Sequence, residues 1–109
     1  MSPPRRDEVW LVALDPTQGS EIQKTRPCLV VSPDEANACL RTLIIAPMTT
    51  TERSYPTRVG ITFQRKRDQV ALDQIRAVDR ELLVRKPGAA PAKTAQAVSS
   101  VLVEMFTRT

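Results

Sequence analysis

Short apolar runs divided by turn-forming residues fill the first three quarters of the chain. Residues 8–14 (EVWLVAL) are almost continuously apolar and stop at Asp15, Pro16 and Thr17, the pattern of a strand buried on both faces. Residues 26–32 (RPCLVVS) have the same character, with Pro27 at the start, where a missing N–H is tolerated. Residues 42–48 (TLIIAPM) are β-branched and end beside Pro47. Residues 57–63 and 69–74 flank a cationic stretch, residues 64–68 (QRKRD), and predict a hairpin tipped by that stretch. Residues 75–79 (IRAVD) are a further short strand.

Two segments read as helices. After the second strand, SPDEANACL offers Ser32 as N-cap, Pro33 at the first helical position and acids in the first turn, which predicts one or two turns. After Arg80 the character changes. Residues 86–92 (KPGAAPA) read as a Pro/Gly break, and the segment beyond repeats Ala95, Val98, Leu102, Met105 and Phe106 at helical spacing. Val101 and Val103 widen that stripe, so the terminal helix, about residues 92–107, must sink into the fold or meet a second subunit. The expected architecture is mainly β with a C-terminal helix: a small barrel of five to seven short strands over about residues 7–84, in one domain of 109 residues.

Composition narrows the chemistry. Only four aromatic residues occur, so the core must be aliphatic, and Tyr55, in a loop beside Pro56, becomes a candidate for stacking. A formal net charge of +4 mildly favours a polyanionic partner. There is no histidine, and Cys28 and Cys39 lack metal-site spacing, so no zinc site is expected. The cysteines read as free thiols of a cytoplasmic protein. Three glycines are too few for a Gly-rich phosphate loop. The N-terminal residues carry charge and no apolar core, and the longest apolar run is far too short to cross a bilayer, so neither a signal peptide nor a membrane span is expected.

Polar groups gather at the strand ends. Arg26 precedes Pro27, which biases its backbone to the extended region and aims its side chain at the strand's entry. Taken alone, its plainer reading is a surface pair with Glu21. Thr49 and Thr50 leave a buried strand after Pro47, where their hydroxyls can cap a turn or donate to a phosphate. Asp73 and Gln74, followed by Arg76, could supply a general base or read a base edge, or form a turn in which Asp73 pairs with Arg76. Arg65, Lys66 and Arg67 could add phosphate contacts or be a solvated tip.

Taken in order, DEVWLVALDPTQGSEIQKTRPCLVVSP, LIIAPMTT, YPTRV and VALDQIRAVDR strongly resemble the MazF/PemK family of toxin endoribonucleases, from about Asp7 to Arg80. The resemblance implies an SH3-like or CcdB-like barrel acting as a homodimer. It implies metal-independent, sequence-specific cleavage of single-stranded RNA, mRNA above all, by attack of a 2′-hydroxyl. The products would be a 2′,3′-cyclic phosphate, or the 3′-phosphate from it, and a 5′-hydroxyl, with translation and growth inhibited. It also implies a cognate antitoxin whose acidic, partly disordered segment covers the site. Family positions fall on Arg26, Thr49 and Glu21 as catalytic residues. Ser20, Gln23, Lys24, Thr50, Tyr55, Arg58, Asp73 and Gln74 are the RNA-binding set. Two positions depart from relatives: Thr25 stands where some carry histidine, and Ala71 where one branch carries arginine, so that branch's acid–base roles do not transfer. The competing readings are a non-catalytic toxin of the same fold that binds DNA gyrase, and an inactive RNA-binding barrel.

Overall fold

The structure is a computed structural model and describes residues 2–14 and 24–109. The elements run β1 (Glu8–Val12), β2 (Arg26–Val30), α1 (Asp34–Cys39), β3 (Thr42–Thr49), β4 (Arg58–Phe63), β5 (Lys66–Ala71), β6 (Arg76–Asp79), β7 (Leu83–Ala89) and α2 (Ala92–Phe106). The strands form one antiparallel sheet in the order β4-β5-β3-β2-β1-β7, with β6 beside the first half of β3. The sheet curls until its ends meet. Phe63, the last residue of β4, lies so close to Gly88 of β7 that a Cβ there would stand 3.0 Å from the ring. The expected small mainly-β architecture with a C-terminal helix is therefore present, as a half-barrel of seven strands among the described residues.

Both faces of the central strands are covered, which explains their near-continuous apolar runs. On one face Val9, Leu29, Ala46, Met48, Ile61, Val70 and Leu72 pack with Val98 of α2. On the other, Val12, Cys28, Val30, Leu43, Ile45 and Val78 form a second cluster. Each fully buried aliphatic chain contributes on the order of 1.5–3 kcal/mol. The largest fully buried side chains are aliphatic, as the scarcity of aromatics requires. Burial pushes the Cys28 thiol up to about 12, and Cys28 and Cys39 are both free.

Several elements differ from the sequence expectation, each for a local reason. The hairpin turn is only Gln64 and Arg65, with φ of 51° and 65°. Left-handed backbone at both central residues matches the twist of the flanking strands. Lys66, Arg67 and Asp68 are therefore part of β5. Leu72, Asp73 and Gln74 leave the strand as a 3-10 turn held by the buried Leu72. The Pro/Gly segment is the edge strand β7. Its ladder to β1 slips between Val9–Gly88 and Leu11–Arg85, so Pro87 lacks its N–H where pairing is already interrupted.

Ser32 does not cap α1. Its hydroxyl donates to Asn37 Oδ1 at 2.5 Å and accepts from the Ile44 amide at 3.0 Å, tying α1 to β3. The C-terminal end of α1 is closed from outside by Arg80, whose guanidinium donates to the carbonyls of Asn37 and Leu40. In α2, Val98, Val101, Leu102 and Met105 face the sheet, while Val103 and Phe106 are each 68% exposed, so Phe106 stands outside the buried stripe.

The Phe63–Gly88 approach closes the sheet. Gly88→Val should lower stability by about 1–3 kcal/mol through overpacking. Phe63→Leu in the same chain should recover part of the loss, as read from urea denaturation midpoints.

Candidate active site

The site begins with a change of partner along β3. β2 pairs β3 through Val30–Ile45, Leu29–Ala46 and Cys28–Pro47. Pro27 and Pro47 both lack an N–H, and beyond Cys28–Pro47 no further β2–β3 pair forms. β3 continues along β5 instead, through Met48–Val70 and Thr49–Gln69. The sheet thus splits at this end, and the same register carried two residues further puts Arg26 across from Thr49. Alternation of side chains sets both on one face of the split.

Three open concavities surround Arg26. The largest, about 490 Å³, is lined by Arg26, Thr49, Tyr55, Arg58, Asp73 and Gln74, together with Thr51 and Arg53. A second, about 380 Å³, lies between Arg26, Gln74 and Arg76. The third, about 260 Å³, is shared by Arg26, Thr49, Thr50, Lys66 and Asp68. Arg26 lines all three and Thr49 two of them. Arg26 is exposed, and no acid pairs with it among the described residues. The Thr49 hydroxyl accepts from the Thr51 amide at 3.1 Å, which leaves its proton free to donate.

Arg58 holds the loop over the largest concavity. Its Nε and Nη2 reach Asp73 at 2.8 and 3.4 Å, and its Nη1 reaches the Thr51 carbonyl and Gln69 Oε1. Only 6% of this side chain is exposed, and it lies beneath the Tyr55 ring, 5.3 Å from the centroid. Gln69 completes the frame. Its carboxamide accepts from the Arg53 amide at 3.0 Å and donates to the Arg53 carbonyl at 3.2 Å, as a neighbouring strand would.

Asp73 also accepts from the Thr57 hydroxyl at 3.0 Å. Its partner is therefore Arg58 rather than Arg76. Its hydrogen bond to the Arg58 guanidinium holds the Asp73 carboxyl below its usual range and raises Arg58 in turn. A carboxylate so held is a poor proton acceptor.

The structure thus gathers Arg26, Thr49, Thr50, Tyr55, Arg58, Asp73 and Gln74 at one mouth. Lys24 is exposed just ahead of β2 and lines none of the three concavities. Ser20, Glu21 and Gln23 lie outside the described residues. Sequence reasoning placed Thr51, Arg53 and Asp68 only within the loops 50–58 and 64–68 expected to set the recognised bases, and it missed Gln69. Nothing in the linear pattern marks Gln69, whose role depends on a loop sixteen residues earlier. Among the described residues no three His, Cys, Asp or Glu side chains cluster as metal ligands, and no helix is long and apolar enough to cross a membrane.

Fold and mouth together define a class: small curled-sheet proteins whose open end presents cations and hydroxyls to an anionic ligand. Comparison with known families makes this specific. The model of PemK-like, MazF-like toxins of type II toxin–antitoxin systems matches residues 5–106, and the chain belongs to that family. It is 37% identical to endoribonuclease MazF9 of Mycobacterium tuberculosis over 94 residues, covering 77% of this chain and 80% of that protein. It is 50% identical to endoribonuclease PemK of Escherichia coli over 44 residues, only 40% of this chain and 33% of that protein. Among solved structures it is similar to a mycobacterial endoribonuclease in complex with its cognate antitoxin, with a TM-score of 0.80 at 22% identity, covering 97% and 99% of the two chains. It is also similar to MazF of Deinococcus radiodurans, with a TM-score of 0.75 at 25% identity, covering 95% and 96%.

The Asp73–Arg58 pair has a pH signature. Asp73 has a folded pKa below its unfolded value, so its contribution is complete above the unfolded value, near pH 3.9. It is lost as pH falls through the folded value. Asp73→Asn should therefore melt below wild type at pH 5–7, with the gap narrowing under about pH 4 in parallel thermal scans.

Proposed function

We propose that this chain is the ribonuclease toxin of its module and cleaves single-stranded RNA without a metal ion. Family membership and the named relatives support the activity. The observation that carries the reaction is the placement of Arg26 opposite Thr49, at the rim shared by adjoining concavities. A phosphate seated there would have a nucleoside on either side.

In the proposed step the ribose 2′-oxygen loses its proton and attacks the adjacent phosphorus. The bond from phosphorus to O5′ breaks, and O5′ leaves with a proton from solvent. The products are a 2′,3′-cyclic phosphate and a 5′-hydroxyl. Charge builds on the non-bridging oxygens of the five-coordinate phosphorus. Arg26 can donate to two of them at once and keeps its charge at every relevant pH. Thr49 donates its free hydroxyl proton to one of them, its lone pair being held by the Thr51 amide. Tyr55, half-exposed above Arg58, offers a stacking face to a base. Thr50 and Gln74 add polar contacts at the rim.

Glu21 is assigned as the proton acceptor. Asp73 is the weaker candidate, because Arg58 already occupies its lone pairs and depresses its pKa. Asp73 and Arg58 act as positioning residues for the loop. Ser20, Gln23 and Lys24 are assigned to the approach of the RNA strand.

The chain works as a homodimer in the cytoplasm, and a cognate antitoxin with an acidic segment masks the cationic mouth. The solved complex of a similar toxin with its antitoxin supports that partner. The whole-protein substrate, mRNA, follows from the family reading.

Arg26→Ala should slow cleavage about 10²–10³-fold, the usual loss on removing a donor to a developing oxyanion. Thr49→Ala should slow it about 10–100-fold, a charged-group hydrogen bond being worth roughly 1.5–3 kcal/mol. Cleavage should be undiminished in EDTA, and end mapping should find 5′-hydroxyl termini. Full activity of Arg26→Ala would sink the mechanism.

A further inference from the structure

Asp68 is absorbed by neither the fold nor the reaction. It lies in β5 opposite Ile61 and shares the face of Val70, turned away from the loop that Gln69 holds. The residue is 6% exposed, and its Oδ1 has no hydrogen-bond partner among the described residues. A buried acceptor left unmade is costly, and a charged one more so. Asp68 is part of the wall of the 260 Å³ concavity, with Pro27 and Met48 as apolar lining, Lys66 at its side, and Arg26 and Thr49 at the rim it shares with the larger concavity. An acceptor-only group beside apolar lining, next to a phosphate seat, has the chemistry of a base-reading subsite.

We propose that this concavity holds the nucleobase on one side of the scissile phosphate, and that the Asp68 carboxylate accepts a hydrogen bond from that base's exocyclic amine. The assignment rests on the ribonuclease reading above. It makes Asp68 a specificity-determining residue. The favoured bases carry an amine, as adenine and cytosine do. Uracil is disfavoured, because its single N3–H lies between two carbonyl oxygens that the carboxylate repels. The ligand's amine supplies the donor that the described residues leave out. Lys66 accompanies the adjoining backbone phosphate without reading sequence.

The test is cleavage of a random-sequence single-stranded RNA pool, with the termini sequenced. Wild type should show one position beside the cut that is depleted in uracil. Asp68→Asn keeps the shape and removes a buried charge; its amide can donate to a carbonyl oxygen, so uracil should rise at that position about tenfold relative to the other bases, with preferences elsewhere unchanged.

A second arm does not depend on the variant folding. Wild type is given defined substrates in which the adenine or cytosine at that position is replaced by the same ring without its amine; these should be cut about tenfold more slowly. Unaltered preference in Asp68→Asn, or equal cutting of substrates with and without the amine, overturns the subsite. A uniform fall in rate on every sequence also overturns it, making Asp68 a proton acceptor instead. No cutting by wild type overturns the ribonuclease reading itself.

Discussion

The register between β2 and β3 is the constraint on which the rest depends. Three pairs, from Val30–Ile45 to Cys28–Pro47, hold the two strands through the middle of the core. They end at a point where two prolines remove donors from neighbouring strands. Because β3 then takes β5 as its partner, the chain opens there without losing the strand. Arg26 and Thr49 thus stand two residues past the last pair, on either side of the opening. Their position is anchored by some of the most buried side chains in the molecule, Leu29, Val30 and Ile45. A slip of one residue would turn both to opposite faces. The core's packing is therefore also what aims the polar groups.

The second layer of organisation is electrostatic. Arg58 looks in sequence like a cation available to a phosphate. In the fold it is enclosed, with donors committed to Asp73, the Thr51 carbonyl and Gln69. Neutralised by Asp73, it leaves Arg26, Arg53, Lys66 and Arg76 as the cations at the mouth among the described residues. One arginine shapes the loop while another, Arg26, stays exposed at the mouth. The distinction is set by depth, since Arg58 begins a strand paired to β5 and Arg26 begins one at the split.

Asp68 stands against the general economy of the fold. Among the described residues buried polar side chains are mostly satisfied by local means, as with Ser32 and Asn37 between α1 and β3, and the one other unpartnered buried atom is Arg80 Nε, on a guanidinium that already donates to two carbonyls. An unmatched carboxylate at the inner end of β5 sacrifices stability at one point, a pattern that belongs to binding sites rather than to cores. It lies beside the proposed phosphate seat, so in the proposed reading a single open end of the sheet would carry both catalysis and choice of base.

Much of this was legible in the chain. The apolar runs around Val9, Leu29 and Ile45 specified central strands because burial on both faces leaves no room for alternation. The helical repeat through Val98, Leu102 and Met105 specified α2. Arg26 and Thr49 were picked out by the family resemblance, since Pro27 and Pro47 alone left a surface pair and a turn cap as readings. The tertiary structure decided what depends on partners distant in sequence. It made Lys86–Pro87–Gly88 part of an edge strand because Val9 and Leu11 needed a neighbour and Phe63 needed a gap. It committed Asp73 to Arg58 rather than Arg76, and it gave Gln69 a loop to hold. Burial periodicity is a local property, so the sequence alone carried it. Which donor meets which acceptor depends on the curl of the sheet, and only the folded chain brings those groups together.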